Sequence, residues 1–430
     1  MPILVNHYDC IERPALWSRG YLITHKLNLM RKKALLFLFV FSFGILNLAS
    51  AQDNKKGKKD GYKFETIVDL ETTSVKDQNR SGTCWSFSGV SFLESEMIRL
   101  GKEPVDFSEM FIVRHCYADK ADKYVRLHGH LNFGAGGAFH DVLYVLKNYG
   151  AVPEEAYNGL EYGEDNHVHG EMDEVLKNYV DGVIENKNKR VSTAWDEGLD
   201  GILDAYLGEL PQEFDYNGKE YTPRAFADEV IGLDPDDYIQ VTSFTHHPFY
   251  QPFIIEVPDN WLWGQVYNVQ MEEMMEIINN SLEKGYTVGW ATDVSEKGFS
   301  HRNGVAVVPE ENVKELDDTE RSRWEALTPE ERQKQLYSFD APVKEKNITQ
   351  EIRQAGFDNF ETTDDHGMHI VGMVKDQNGT VYYKVKNSWN VDNKFDGYLY
   401  ASESFVKLKT ISIMINKDVV SSGLSDKMGL

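Results

Sequence analysis

Two stretches far apart in the chain hold the residue types that acyl transfer needs. The first is Gln78-Asn79-Arg80-Ser81-Gly82-Thr83-Cys84-Trp85-Ser86-Phe87. From Cys84 onward the apolar residues Trp85, Phe87, Val90, Phe92, Leu93, Met97, Ile98 and Leu100 recur at a spacing that predicts a largely buried helix, ended by Gly101. A cysteine in the first turn of a helix meets free backbone N–H groups and the positive end of the macrodipole, which favour a thiolate. Its own N–H, with an amide such as that of Gln78, could donate to an oxyanion. The alternative is an inert buried thiol, the commoner fate of a lone cysteine. The polar, Gly-bearing approach to Cys84 weighs against it, because such a segment exposes the side chain.

The second stretch is His366-Gly367-Met368-His369-Ile370-Val371-Gly372, followed by Lys386-Asn387-Ser388-Trp389. Residues 370–385 read as strand, Asp376-Gln377-Asn378-Gly379 turn, strand. A four-residue turn sets Asn387 opposite Met368, and a two-residue turn sets it opposite Ile370. Either register puts Asn387 on the face of His366, Met368 and Ile370, because side chains alternate with period two. His369 has the opposite parity. The expected pair is therefore His366 with Asn387, the amide orienting the imidazole.

Gln78 six residues before Cys84-Trp85, with His366 and Asn387-Ser388-Trp389 near the end, resembles the papain-like cysteine peptidases. The resemblance covers about residues 62–160 and 350–430. It implies an α+β, two-lobed fold, a helical lobe plus a β-rich lobe. It also implies Cys84 as nucleophile, His366 as general base and acid, Asn387 as orienting amide and Gln78 as oxyanion donor. Trp389 would shield the His–Asn bond, and Gly136-Gly137 resembles the glycine pair whose backbone aligns substrate. No metal or other cofactor is implied.

Departures from the common pattern narrow the family. Ser81 stands where papain-like enzymes carry a disulfide cysteine, and Cys84 and His366 are 282 positions apart, so a large, mainly helical insertion is expected between the lobes. These features and the ending Asp426-Lys427-Met428-Gly429-Leu430 resemble the bleomycin hydrolase/aminopeptidase C family. In that family the tail lies in the cleft and its terminal carboxylate binds the substrate's amino group, which would make Leu430 a substrate-binding residue. Family members are usually cytoplasmic, and some form hexamers around a basic channel that can hold DNA. Lys427 and Ser425 depart from the family's tail, which also runs a residue or two longer. Asn390 stands where the wider family often has Gly.

The N-terminus reads as a secretory signal. Met30-Arg31-Lys32-Lys33 is a basic start, Ala34 to Leu48 an apolar run and Ala49-Ser50-Ala51 a small-x-small cleavage site, leaving Gln52 as the new terminus. The run is too short to span a bilayer core. Residues 1–29 have no place ahead of a normal signal, so the expected start is Met30. The whole chain has 430 residues and a net charge of −24. Residues 1–51 hold six basic and two acidic side chains, so their removal leaves 379 residues and a charge of −28. A polyanion of this kind repels nucleic acid and anionic lipid. Three cysteines are too few for a disulfide scaffold.

The expected organisation is 1–51 upstream extension and signal, 52–61 disordered tether and 62–160 helical lobe with Cys84. Residues 161–350 follow as the insertion and start of the second lobe, 351–419 as the β-rich lobe with His366 and Asn387, and 420–430 as a tail toward the cleft. Helices are also expected at 138–149, at the Met271–Leu282 stripe and after the capping box Thr328-Pro329-Glu330-Glu331. His128/His130, His167/His169 and His246-His247 lack the partners of a metal site and read as surface or core histidines. The leading expectation is a cysteine aminopeptidase, exported to the periplasm or beyond and acting on peptides, with no membrane anchor once the signal is cut. The alternatives are a papain-like endopeptidase and a catalytically silent binding protein.

Overall fold

The computed structural model describes residues 61–312, 314 and 318–430. The proposed signal, tether and late start fall on residues outside these, apart from Gly61. Among the described residues no helix is long and apolar enough to cross a membrane.

The helical lobe is built on α1 (Cys84–Arg99), α2 (Glu109–Arg126) and α3 (Phe139–Asn148). Helix α1 is enclosed on nearly every side: all residues from Trp85 to Met97 are buried. Its polar side chains therefore need partners inside the protein. Glu94 accepts from the Phe107 N–H at 3.2 Å and from Thr73, and Glu96 accepts from Arg99 at 2.8 Å and Asn416 at 3.1 Å. Helix α2 starts where Ser108 Oγ accepts the Phe111 N–H at 2.9 Å, a side-chain cap.

Residues 161–237 continue this lobe. Helices α4 (Gly170–Ile184) and α5 (Trp195–Leu207) pack on α2 through Leu176, Val180, Leu199 and Leu203, and Arg114 of α2 pairs with Asp200 and Asp204 of α5 at 3.0 and 2.9 Å. A short helix α6 (Pro223–Phe226) closes the lobe, with Phe226 against the aromatic rings of Phe214, Tyr216 and Tyr221.

The second lobe is a mixed sheet. Its strands are β1 (Phe64–Asp69), β4 (Tyr238–Thr242), β5 (Pro252–Ile254), β6 (Gln265–Asn268), β7 (Val288–Thr292), β8 (Phe299–Ser300), β9 (Val305–Ala306), β10 (His366–Asp376), β11 (Val381–Lys386), β12 (Tyr398–Ser402) and β13 (Thr410–Asn416). Strands β2 (Phe214–Tyr216) and β3 (Lys219–Tyr221) form a separate hairpin in the helical lobe. The main sheet runs β5-β6-β4-β13-β7-β10-β11-β12-β9-β8, with β1 added to the far half of β10. Apart from β1, which comes from the expected helical lobe, the strands of the sheet begin at Tyr238, inside the expected 161–350 segment. Helix α7 (Met271–Glu283) lays Met274, Met275, Ile278 and Leu282 into a core with Trp290, Met368, Ile370 and Ile413. Helices α8 (Asp318–Glu325), α9 (Pro329–Leu336), α10 (Gln350–Asp358) and α11 (Glu403–Lys409) lie in the connections. At α9, Thr328 and Glu331 exchange hydrogen bonds at 2.9 and 3.2 Å, the capping box read from the sequence.

The hairpin that carries His366 and Asn387 departs from both expected registers. Next to the turn Lys375 faces Val381, a register that would set His369 against Asn387. A β-bulge between Ile370 and Gly372 leaves Val371 as an extra residue, and beyond it His369 faces Lys386. Continued by one residue, that register sets Met368 against Asn387, as the four-residue turn would have done.

The tail departs too. Residues Ser422–Met428 form helix α12, closed by Gly429 in the left-handed conformation, with Leu424 and Met428 buried in the α7 side of the sheet core. Lys427 pairs with Glu273 at the start of α7 at 2.8 Å. Two apolar residues at helical spacing and this ion pair hold the segment there rather than in the cleft.

Candidate active site

The N-terminus of α1 and the start of β10 meet. The Gly367 N–H donates to Cys84 Sγ at 3.3 Å, which places the thiol beside the residue that follows His366. Cys84 is the first residue of its helix and half-buried. The approach is shaped by Gly82, at φ +69°, where an added Cβ would lie 2.8 Å from Ala135 Cβ. Trp85 Nε1 donates to Ala135 O at 2.9 Å and so fastens the glycine loop to α1.

His366 Nε2 lies 2.8 Å from Asn387 Oδ1. The Asn387 oxygen also accepts the Ser388 N–H at 2.8 Å, and its Nδ2 lies 3.2 Å from His301 Nδ1. Asn387 is thus fixed at both ends, with its oxygen turned to the His366 ring. The Trp389 ring lies over His366, centroids 4.4 Å apart and planes 32° apart. Asn390 adopts φ +62°, a left-handed conformation that Gly adopts freely and Asn tolerates.

Gln78 is buried. Its Oε1 accepts from Ser388 Oγ at 2.6 Å and its backbone N–H donates to Ser388 O at 2.9 Å. With the oxygen end engaged, the amide NH2 is the end left to donate. His369 points into the helical lobe, its Nδ1 3.0 Å from Ser91 Oγ, and takes no part in this cluster.

Burial pushes the Cys84 thiol up to about 12 and the His366 imidazole down to about 4. Neither holds a charge alone at neutral pH. Proton transfer between them creates opposite charges side by side at a helix N-terminus, and that pair is the charged state such a site can sustain.

The cavity beside Cys84 and His366 is also lined by Gly136, Gly137, Asp259 and Asp364, and by no residue of 420–430. Leu430, expected at the cleft, lies instead at the exposed end of α12, its N–H bonded to Ser425 O at 3.2 Å. A Cβ on Gly137 would meet Asp141 Oδ2 at 2.6 Å and the Trp85 ring at 2.7 Å, so only glycine fits there. Asp259 and Asp364 escaped the sequence reading. Asp364 had one available signal, its place two residues before His366; Asp259 had none, since its loop reaches the cavity only through the tertiary fold. Elsewhere, His246, His247 and Glu256 offer ligand atoms within 4.8 Å of one another, and the Glu256 carboxylate already bridges the two rings at 3.2 and 2.6 Å.

The model of the Peptidase C1-like family matches residues 112–323 and 333–429. The chain belongs to this family. The matched span contains His366 and Asn387 and starts beyond Cys84. Aminopeptidase C of Lactococcus lactis subsp. cremoris is 22% identical over 397 residues, covering 83% of this chain and 84% of that protein. Aminopeptidase G of Lactobacillus delbrueckii subsp. lactis is also 22% identical, over 389 residues, covering 81% and 82%. The crystal structure of PepW from Lactobacillus rhamnosis HN001 superposes with a TM-score of 0.63 at 16% identity, over 85% of this chain and 84% of that one. Sheet, helical lobe and family together make this a papain-like cysteine peptidase.

Proposed function

We propose that this Peptidase C1-like protein is a cysteine aminopeptidase that removes N-terminal residues from peptides. Cys84 passes its proton to His366 and attacks the first peptide carbonyl. The oxyanion accepts from the Cys84 N–H and the Gln78 amide. His366 then protonates the leaving amine, and water drawn in by the same base hydrolyses the thioester. Asn387 holds the imidazole in the tautomer that faces the thiol, and Trp389 covers that bond from solvent. The observation that carries the reading is the His366–Asn387 contact of 2.8 Å beside Cys84. The exopeptidase part draws on the aminopeptidases C and G that the chain resembles.

One observation favours an endopeptidase instead: the tail is folded as α12, away from the cleft, so its carboxylate does not close the site. The deciding experiment compares an unblocked aminoacyl-coumarin with its N-acetylated form under reducing conditions. Hydrolysis of the free amine alone supports the aminopeptidase; equal rates on both support the endopeptidase. The basic-hydrophobic-small run at residues 30–51 supports export as the place of action. The −28 charge left after signal removal speaks against a nucleic-acid partner.

A further inference from the structure

If α12 does not carry the group that recognises a free N-terminus, something else in the cleft must. The α-ammonium of a bound peptide is two bonds from the scissile carbonyl carbon, so its partner has to stand next to the nucleophile. Two carboxylates stand there. Asp259 and Asp364 line the same cavity as Cys84 and His366, and both act on the Cys84 thiol electrostatically, raising it.

Their surroundings call for a cation. Asp364 has no hydrogen-bond or ion-pair partner among the described residues, whereas its neighbour Asp365 accepts the Val294 N–H at 2.8 Å. Partial burial and the carboxylates of Asp259 and Asp365 push Asp364 up to about 7. Asp259 is raised as well, by burial first, and is held by Asn132 Nδ2 at 2.8 Å. Among the described residues no Lys or Arg lines the cavity; Lys120, which acts on Asp259 from behind the wall, is committed to the carbonyls of Gly134 and Gly136. The histidines that line the cavity, His140 and His366, are both lowered by burial and stay neutral. The wall is therefore negative, with no positive group of its own free to answer it.

Asp259 also restricts the cleft sterically. Its carboxylate lies against Gly136, so close that a Cβ there would be 2.1 Å from Oδ2. A peptide continuing past its first residue along that glycine pair would meet the carboxylate.

We propose that Asp259 and Asp364 bind the free α-ammonium group of the substrate's first residue and so supply, from the cleft wall, the N-terminal selectivity of the enzyme. This rests on the aminopeptidase reading above. The bound ammonium neutralises the two carboxylates that oppose ionisation of Cys84, so a correct substrate also eases formation of the thiolate. An N-acylated substrate offers no cation and leaves that repulsion in place.

The test measures kcat and KM for leucyl-aminomethylcoumarin and its N-acetyl form, with wild type, Asp364→Asn and Asp259→Asn. The uncharged leucine side chain excludes binding through a basic side chain. Each variant should lose tenfold or more in kcat/KM on the free amine, chiefly through KM, while the acetylated substrate is cut as well as before or better. Alkylation of Cys84 by iodoacetamide should not slow, which separates lost recognition from a damaged nucleophile. Asp364→Ser, read in the same way, covers a failure of the Asn variant to fold. Removing Gly429 and Leu430 should leave the preference intact; its collapse in that truncation would overturn the proposal in favour of the tail carboxylate. Equal losses on both substrates in the Asp variants, or an unchanged preference, would overturn it while leaving the aminopeptidase standing. A wild type with no preference for the free amine removes the aminopeptidase reading, and this one with it.

Discussion

His366 and Asn387 meet at 2.8 Å because the strand pair between them changes register once, at Val371. The turn alone would bring His369 opposite Asn387; the bulge shifts the pairing by one residue and exchanges the two histidines. The imidazole that meets Asn387 is thus chosen by a backbone irregularity several residues away from it.

The two histidines should separate cleanly on mutation. His366→Ala, like Cys84→Ala, should abolish hydrolysis of aminoacyl-coumarins with little change in thermal midpoint. His369 is fully buried, between Ser91 and the edge of Phe92. His369→Ala should keep kcat within a few fold but lose roughly 2–4 kcal/mol of stability, from the cavity and the lost His369–Ser91 hydrogen bond. Urea melts beside steady-state rates check both. Comparable loss of turnover at 366 and 369 contradicts the register argument.

Local patterns carried much of this structure. The apolar spacing after Cys84, the methionine stripe of α7 and the Thr328–Glu331 cap each lie within a single element, where period and capping chemistry are complete. Strand parity on the hairpin led to the histidine that meets Asn387, although the turn register and the bulge offset each other and neither was visible. What sequence could not show depends on distant contacts. Strand β13, near the chain end, lies between β4 and β7, and Asp259 reaches Gly136 across the lobes. The tail misled for a different reason. Its Ser- and Gly-rich composition reads as a frayed end and its last residues resemble a cleft peptide, while Leu424 and Met428, four apart, dock it as a helix.

The proposed role of Gln78 as oxyanion donor can be tested through the residue that holds it. Gln78→Ala should lower kcat about 100-fold or more with KM little changed, the signature of a donor used only in the transition state. Ser388→Ala leaves the amide in place but releases its oxygen end, now held at 2.6 Å, and should cost about tenfold or less. A larger effect at Ser388 than at Gln78 assigns the oxyanion contact elsewhere.

Export predicts a new N-terminus. Intact-mass and N-terminal peptide analysis of protein from its native host should find a chain starting near Gln52, with no peptide from residues 1–29. Full-length protein recovered from the cytoplasm contradicts both the signal and the start at Met30.

The pH profile should depend on which substrate is cut. His366, lowered by burial to about 4, keeps its neutral form through mildly acidic solution, so the proton transfer from Cys84 persists to well below pH 6. Asp364 behaves in the opposite sense. Its carboxyl is raised to about 7, so the form that can bind an ammonium group is lost as pH falls through 7. The charged and titratable groups around it are Asp259 from the facing loop, Asp365 beside it, Cys84 on α1 and His366 on β10, with Lys120 of α2 acting through Asp259. For free-amine substrates kcat/KM should therefore decline below about pH 7, approaching tenfold per unit. The same limb should be weak or absent in kcat, because the bound ammonium keeps Asp364 ionised in the complex. Alkylation of Cys84 by iodoacetamide needs no ammonium partner and should lack the limb near 7. Asp364→Asn should erase it from kcat/KM. A limb near 7 that persists in that variant assigns the titration to the Cys84–His366 pair instead.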